Sequence, residues 1–87
     1  MENQFNTVEV KETEYLVFKK IKSKSGKTFD VSIENKKGEF LGLIHWFGPF
    51  RKYTFHTIGD VELDDICMDD ISTYSKLLMK ERKRIPL

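Results

Sequence analysis

Residues 45–56 hold most of what could do chemistry in this 87-residue chain. His45, Trp46, Arg51, Lys52, Tyr53 and His56 bring two imidazoles, two cationic groups and two large rings into one short stretch. Five of the eleven aromatic residues lie between Trp46 and Phe55. Arg and Lys neutralise phosphate oxygens, and aromatic rings take the flat faces of bases. For Trp46, Tyr53, Phe55 and the stem of Arg51 the plainer expectation is a packed core, with the Arg51 stem lying over Trp46. Core packing does not need His45, Lys52 and His56. For those three an exposed sheet face stands as the alternative to ligand contact.

Other residue sets carry less. Ser25-Gly-Lys-Thr28 resembles the end of a phosphate-binding loop, but Ile21 stands where that motif requires glycine, and a strand pattern follows Thr28 instead of a helix. His45, His56 and Cys67 contain no close-spaced pair of the C-x-x-C or H-x-x-x-H kind, so no metal site is expected. Cys67 is expected as a small buried residue whose thiol the neighbouring acids hold protonated. The six acids of residues 60–70 match no EF-hand spacing and fit the positive end of a helix. No nucleophile–base pair or carboxylate dyad is visible, so no catalytic residues and no cofactor are assigned.

The elements that must position these groups follow from periodicity. Tyr15–Ile21 is rich in β formers, and Thr28–Glu34 alternates with Phe29, Val31 and Ile33 on one side. Phe40–Phe47 and Phe50–Ile58 complete four strands, joined by turns at Ser23–Lys27, Asn35–Gly38 and Gly48-Pro49. Residues 1–12 read as a lead-in or as an edge strand at Phe5–Val10. Cys67, Ile71, Tyr74 and Leu78 recur at helical spacing, behind an N-cap at Asp64 or Asp65. The expected fold is therefore α+β: a four-stranded antiparallel meander with one C-terminal helix on one face.

A two-residue loop at Gly48-Pro49, or a four-residue loop at Phe47–Phe50, pairs Trp46 with Arg51, Ile44 with Tyr53 and Gly42 with Phe55. One face then carries Phe40, Ile44, Trp46, Arg51, Tyr53 and Phe55. The other carries Leu41, Leu43, His45, Lys52, Thr54 and His56. A three-residue loop would flip one strand and void the division. The first face suits the helix, with Gly42 leaving room for the Phe55 ring. The second is left open to catch an anionic group or a second subunit.

The totals bound the class. Eighty-seven residues make one domain, 1–87, of ordinary globular composition. The single cysteine rules out an internal disulfide and fits a reducing cytosol. No apolar run nears the roughly 20 residues of a membrane span, and the N-terminus lacks the order of a signal peptide. The net charge of +1 hides strong sorting. Residues 15–55 carry nine Lys and Arg against Asp30, Glu34 and Glu39; residues 76–84 carry five bases against Glu81. Residues 60–70 carry no base at all. Basic regions thus flank an acidic joint.

Leu41-Gly-Leu-Ile44, then Trp46-Phe-Gly-Pro-Phe-Arg-Lys-Tyr-Thr-Phe55, then Cys67-Met-Asp-Asp-Ile71 resemble a pattern of small uncharacterised bacteriophage and prophage proteins. The likeness spans roughly residues 38–80. Phe50 stands where that pattern often has Trp, and His56-Thr57 where Phe-Pro is common. The resemblance implies a phage accessory protein in the host cytoplasm and carries over no catalytic residues. With the basic charge, it leads to an expected non-enzymatic module that sequesters a nucleotide or other anionic small molecule, such as a host immune signal. Alternatives are an inhibitor or adaptor of a host protein, or a single-stranded nucleic-acid binder. A homo-oligomer is a further possibility.

Overall fold

The computed structural model describes residues 7–24 and 26–83. Five strands precede one helix: β1 Thr7–Glu12, β2 Leu16–Lys22, β3 Phe29–Asn35, β4 Phe40–Phe47, β5 Lys52–Thr57 and α1 Asp65–Lys83. The strands form one antiparallel sheet in chain order, β1-β2-β3-β4-β5. The expected meander and C-terminal helix are present, but the sheet has five strands and not four. The extra one is β1, part of the span left open as an edge strand; Phe5, where that strand was expected to start, lies outside the described residues. Every residue of β1 is exposed, so no buried side of the strand marks it in the sequence. It is held by backbone pairing to β2 and by ion pairs such as Lys36–Glu12, at 2.6 Å.

The covered face is built by the alternation of β2 and β3. Leu16, Phe18, Val31, Ile33 and Ile44 are fully buried. Burial of each such side chain contributes about 1.5–3 kcal/mol. The helix lays Ile71, Tyr74 and Leu78 on this floor, and the Phe18 and Tyr74 rings stack at 4.7 Å, 2° from parallel. The acid at position 64 caps the helix as expected: Cys67 N–H donates to Asp64 Oδ1 at 2.9 Å. That bond holds the Asp64 carboxyl below the usual carboxylate range.

The β4–β5 loop corrects the expected register. Phe47 pairs with Lys52, leaving residues 48–51 as a four-residue loop. Trp46 faces Tyr53 and Ile44 faces Phe55, two residues on from the expected partners. A slip of two preserves the alternation, so Ile44, Trp46, Tyr53 and Phe55 stay on the covered face and Leu43, His45, Thr54 and His56 on the other. Phe40 does not stay where expected: a bulge between the Ile33–Gly42 and Glu34–Phe40 pairs puts it in the row of Glu34, 45% exposed. Arg51 leaves the strand altogether. It sits in the loop at φ 54°, a left-handed conformation that costs a residue other than glycine about 1 kcal/mol.

Gly42 is fixed by close approach. Its strand pair is Thr57, and the Phe55 ring lies over it diagonally. A Cβ there would collide with the His56 carbonyl oxygen and come within 2.7 Å of Phe55 Cε1. A strand backbone cannot yield that space cheaply. We expect Gly42→Ala to lower unfolding free energy by about 3 kcal/mol or more, read by urea denaturation.

Lys20 is the one charged side chain buried among the described residues, at 7% exposure. Its ammonium lies 3.1 Å from Glu81 and 3.9 Å from Glu9, and 4.4 Å from the centre of the Phe29 ring. Removing the acid strands a buried cation, whereas removing both charges does not. Glu81→Ala is expected to cost about 2 kcal/mol in the same denaturation assay, and the Lys20→Met, Glu81→Ala pair to recover most of that loss.

Candidate functional site

The six candidate residues of the hairpin do not form one site. Trp46 and Tyr53 lie on the covered face, edge to face at 5.3 Å. Tyr53 is buried, and its hydroxyl accepts a hydrogen bond from Phe29 N–H at 3.3 Å. Burial pushes its pKa up. Trp46 is capped by a cation, as expected, but the cation is Arg82 of α1 and not Arg51: the guanidinium sits 4.2 Å from the indole ring. Arg82 also donates to the Lys27 carbonyl at 3.3 Å, which ties the helix end to the β2–β3 turn. Both aromatics pack with the core, Trp46 partly buried beneath Arg82.

His45 and His56 share the open face as expected, with ring centroids 4.8 Å apart. That face is less basic than its β4 and β5 residues imply. Its β3 row is Asp30, Ser32 and Glu34, and Glu34 pairs with Lys19 at 3.1 Å. Leu43 and Phe47 flank His45 along β4, whereas Leu41, expected on this face, sits at the bulge and packs against the core. His45 Nε2 and Thr54 Oγ1, on directly paired residues, are both buried without a hydrogen-bond partner.

Lys52 belongs to a different concavity. Lys52 and Tyr53 of β5 face Ser72, Ser75, Lys76, Met79 and Lys80 of α1 across a solvent-open groove of about 480 Å³. That volume falls in the range of small-molecule sites. Ser72, Ser75, Lys76 and Met79 recur at i, i+3, i+4 and i+7, so they form one helical stripe beside the buried one. None of the three lysines has a carboxylate within 4 Å among the described residues, whereas Lys19, Lys20 and Lys36 are all paired. The groove therefore has three unneutralised ammonium groups, two hydroxyls and an apolar floor from Tyr53 and Met79. Sequence reasoning missed the helical half because only the apolar stripe was traced. The second stripe was readable at the same spacing.

The remaining motifs take structural roles. Ser23 and Thr28 hydroxyls bond to each other at 2.8 Å and β3 begins at Phe29, so Gly26, Lys27 and Thr28 of the P-loop likeness lie in the β2–β3 turn, while its Ser25 lies outside the described residues. Cys67 is half-buried, and burial and the Asp64 carboxylate push its thiol up. The described residues contain no cluster of three His, Cys, Asp or Glu side chains placed to hold a metal.

Fold and groove together define a small α+β sheet protein with one roofed face and a basic cleft along the sheet edge. The chain is 47% identical over 78 residues to an uncharacterized 9.3 kDa protein of Acholeplasma phage L2, a match covering 88% of this chain and all of the relative. It belongs to the family of that phage protein. No family model matches it, and no solved structure does. The expectation of a small phage protein holds at that level. No helix among the described residues is long and apolar enough to cross a membrane.

The tyrosines make stability pH-dependent. Burial, with Glu9 and Glu81 nearby, pushes the Tyr74 phenol up to about 12. Above pH 10 the unfolded chain loses this proton and the folded chain keeps it. Stability is therefore full below pH 10 and falls between pH 10 and 12, by up to about 1.4 kcal/mol per unit. Denaturation midpoints measured at pH 9, 10 and 11 are expected to drop less steeply for Tyr74→Phe than for the native chain.

Proposed function

We propose that this protein is a phage accessory protein of the host cytoplasm that captures a phosphate-bearing small molecule stoichiometrically, without transforming it. The observation that carries the reading is the trio of unpaired lysines, Lys52, Lys76 and Lys80, around one groove. Ammonium groups without internal carboxylates keep their full attraction for an external anion. Ser72 and Ser75 add hydroxyl donors for phosphate oxygens, and Met79 with Tyr53 gives a ligand's flat portion an apolar surface. Capture rather than catalysis fits the chain's one cysteine, whose thiol is held protonated.

A second reading is the covering of a host protein. It is favoured by Phe50, 66% exposed at the tip of the β4–β5 loop with Phe47 packed against it at 4.8 Å. Exposed aromatic residues beside arginine are frequent anchors in protein interfaces.

Isothermal titration with inorganic phosphate, pyrophosphate, ADP-ribose and cyclic dinucleotides separates the readings. Binding of at least one of these is expected at one site per chain. Lys76→Ala combined with Lys80→Ala should weaken it at least tenfold with an unchanged circular dichroism spectrum, since both side chains are exposed. No heat with any of the four ligands overturns the proposal. Affinity that rises with oligonucleotide length and collapses in salt would point instead to single-stranded nucleic acid.

A further inference from the structure

The open face carries a pairing that sequence spacing conceals. His45 and His56 are eleven residues apart, yet the β4–β5 register makes Leu43 the partner of His56 and Thr54 the partner of His45. The two imidazoles are thus diagonal neighbours on one face, with centroids 4.8 Å apart and planes at 54°. Two imidazoles bound to one tetrahedral ion at about 2.0–2.1 Å hold their ring centres roughly 5 Å apart.

Which nitrogens are free follows from burial. His45 Nε2 is closed to solvent and has no partner, and so is Thr54 Oγ1 on the strand beside it. The two residues are directly paired across the strands, and donation from Nε2–H to that hydroxyl would satisfy both buried atoms and fix the tautomer. The lone pair is then on Nδ1, which has no partner of its own and is not buried. A ligating histidine ordinarily has its second nitrogen held by such an outer donor–acceptor contact. His56 is exposed and free to turn toward the same point.

We propose that His45 Nδ1 and His56 together bind one late first-row divalent cation of the Zn²⁺ class. Neutral imidazole favours zinc, nickel and copper over the hard cations magnesium and calcium. Two ligands come from the chain, because no third His, Cys, Asp or Glu joins them among the described residues. The other coordination positions are open to water or to a donor from a bound molecule. This site lies on the face opposite the lysine groove's aromatic floor and does not depend on the phosphate reading.

The test is a Zn²⁺ titration of the full chain carrying Cys67→Ser, which removes the competing thiol. It is followed by histidine side-chain nitrogen resonances and by calorimetry. Both imidazoles are expected to shift together and to saturate at one ion per chain, with His45 responding at Nδ1. His56→Gln should weaken the ion at least tenfold, and Mg²⁺ should leave both rings unmoved. The His56 side chain is exposed, so its replacement tests the site without burdening the fold. His45→Gln, checked by circular dichroism, should match it. A response from one ring alone, unchanged affinity in His56→Gln, or no binding below millimolar Zn²⁺ overturns the proposal.

Discussion

One helix cannot roof five strands. Strands lie about 4.8 Å apart, so the sheet measures roughly 19 Å between its outer strands, while a helix with its side chains is about 10–12 Å across. The helix therefore covers only part of the face, running nearest β5 while its apolar stripe packs on the core of Phe18, Ile33 and Ile44. On the β1 side the gap is closed by charge: Lys20, Glu9 and Glu81 cluster there, with the Lys11 ammonium 5.9 Å from the Tyr74 ring centre. Against β5, where the helix runs nearest, no such cluster forms, and the lysine groove lies between the two elements.

Most of the architecture was legible in the sequence because buried strands and helices leave periodic traces. The alternation of Phe29, Val31 and Ile33 and the stripe Cys67, Ile71, Tyr74, Leu78 mark the two surfaces that meet. Strand β1 was legible only as one of two alternatives, an edge strand at Phe5–Val10 or a lead-in, because nothing on it is buried. The hairpin register was off by two because Gly48-Pro49 looks like a turn centre, while the chain reverses over residues 48–51 with Arg51 in a left-handed conformation. A two-residue error preserves the faces, which is why the histidines still fell together.

The site was less legible. Aromatic density drew attention to the hairpin, yet Trp46 and Tyr53 owe their positions to the core and to Arg82. A groove between two elements is a property of their packing, and Lys52 lies far along the chain from Lys76 and Lys80. Their shared trait, the lack of an acid partner, cannot be read from a sequence in which Glu81 adjoins Lys80. The side chain of Glu81 turns to Lys20 instead.

The order of strands in the sheet is also their order in the chain. Every strand pairing closes a loop of only a few residues, so little chain entropy is lost before each contact forms. Such low contact order favours rapid assembly, hairpin upon hairpin. The helix is the exception, since Tyr74 must find Phe18 and Glu81 must find Lys20 across more than fifty residues. By the same rule the helix is expected to dock last, and its docking is the step that creates the groove.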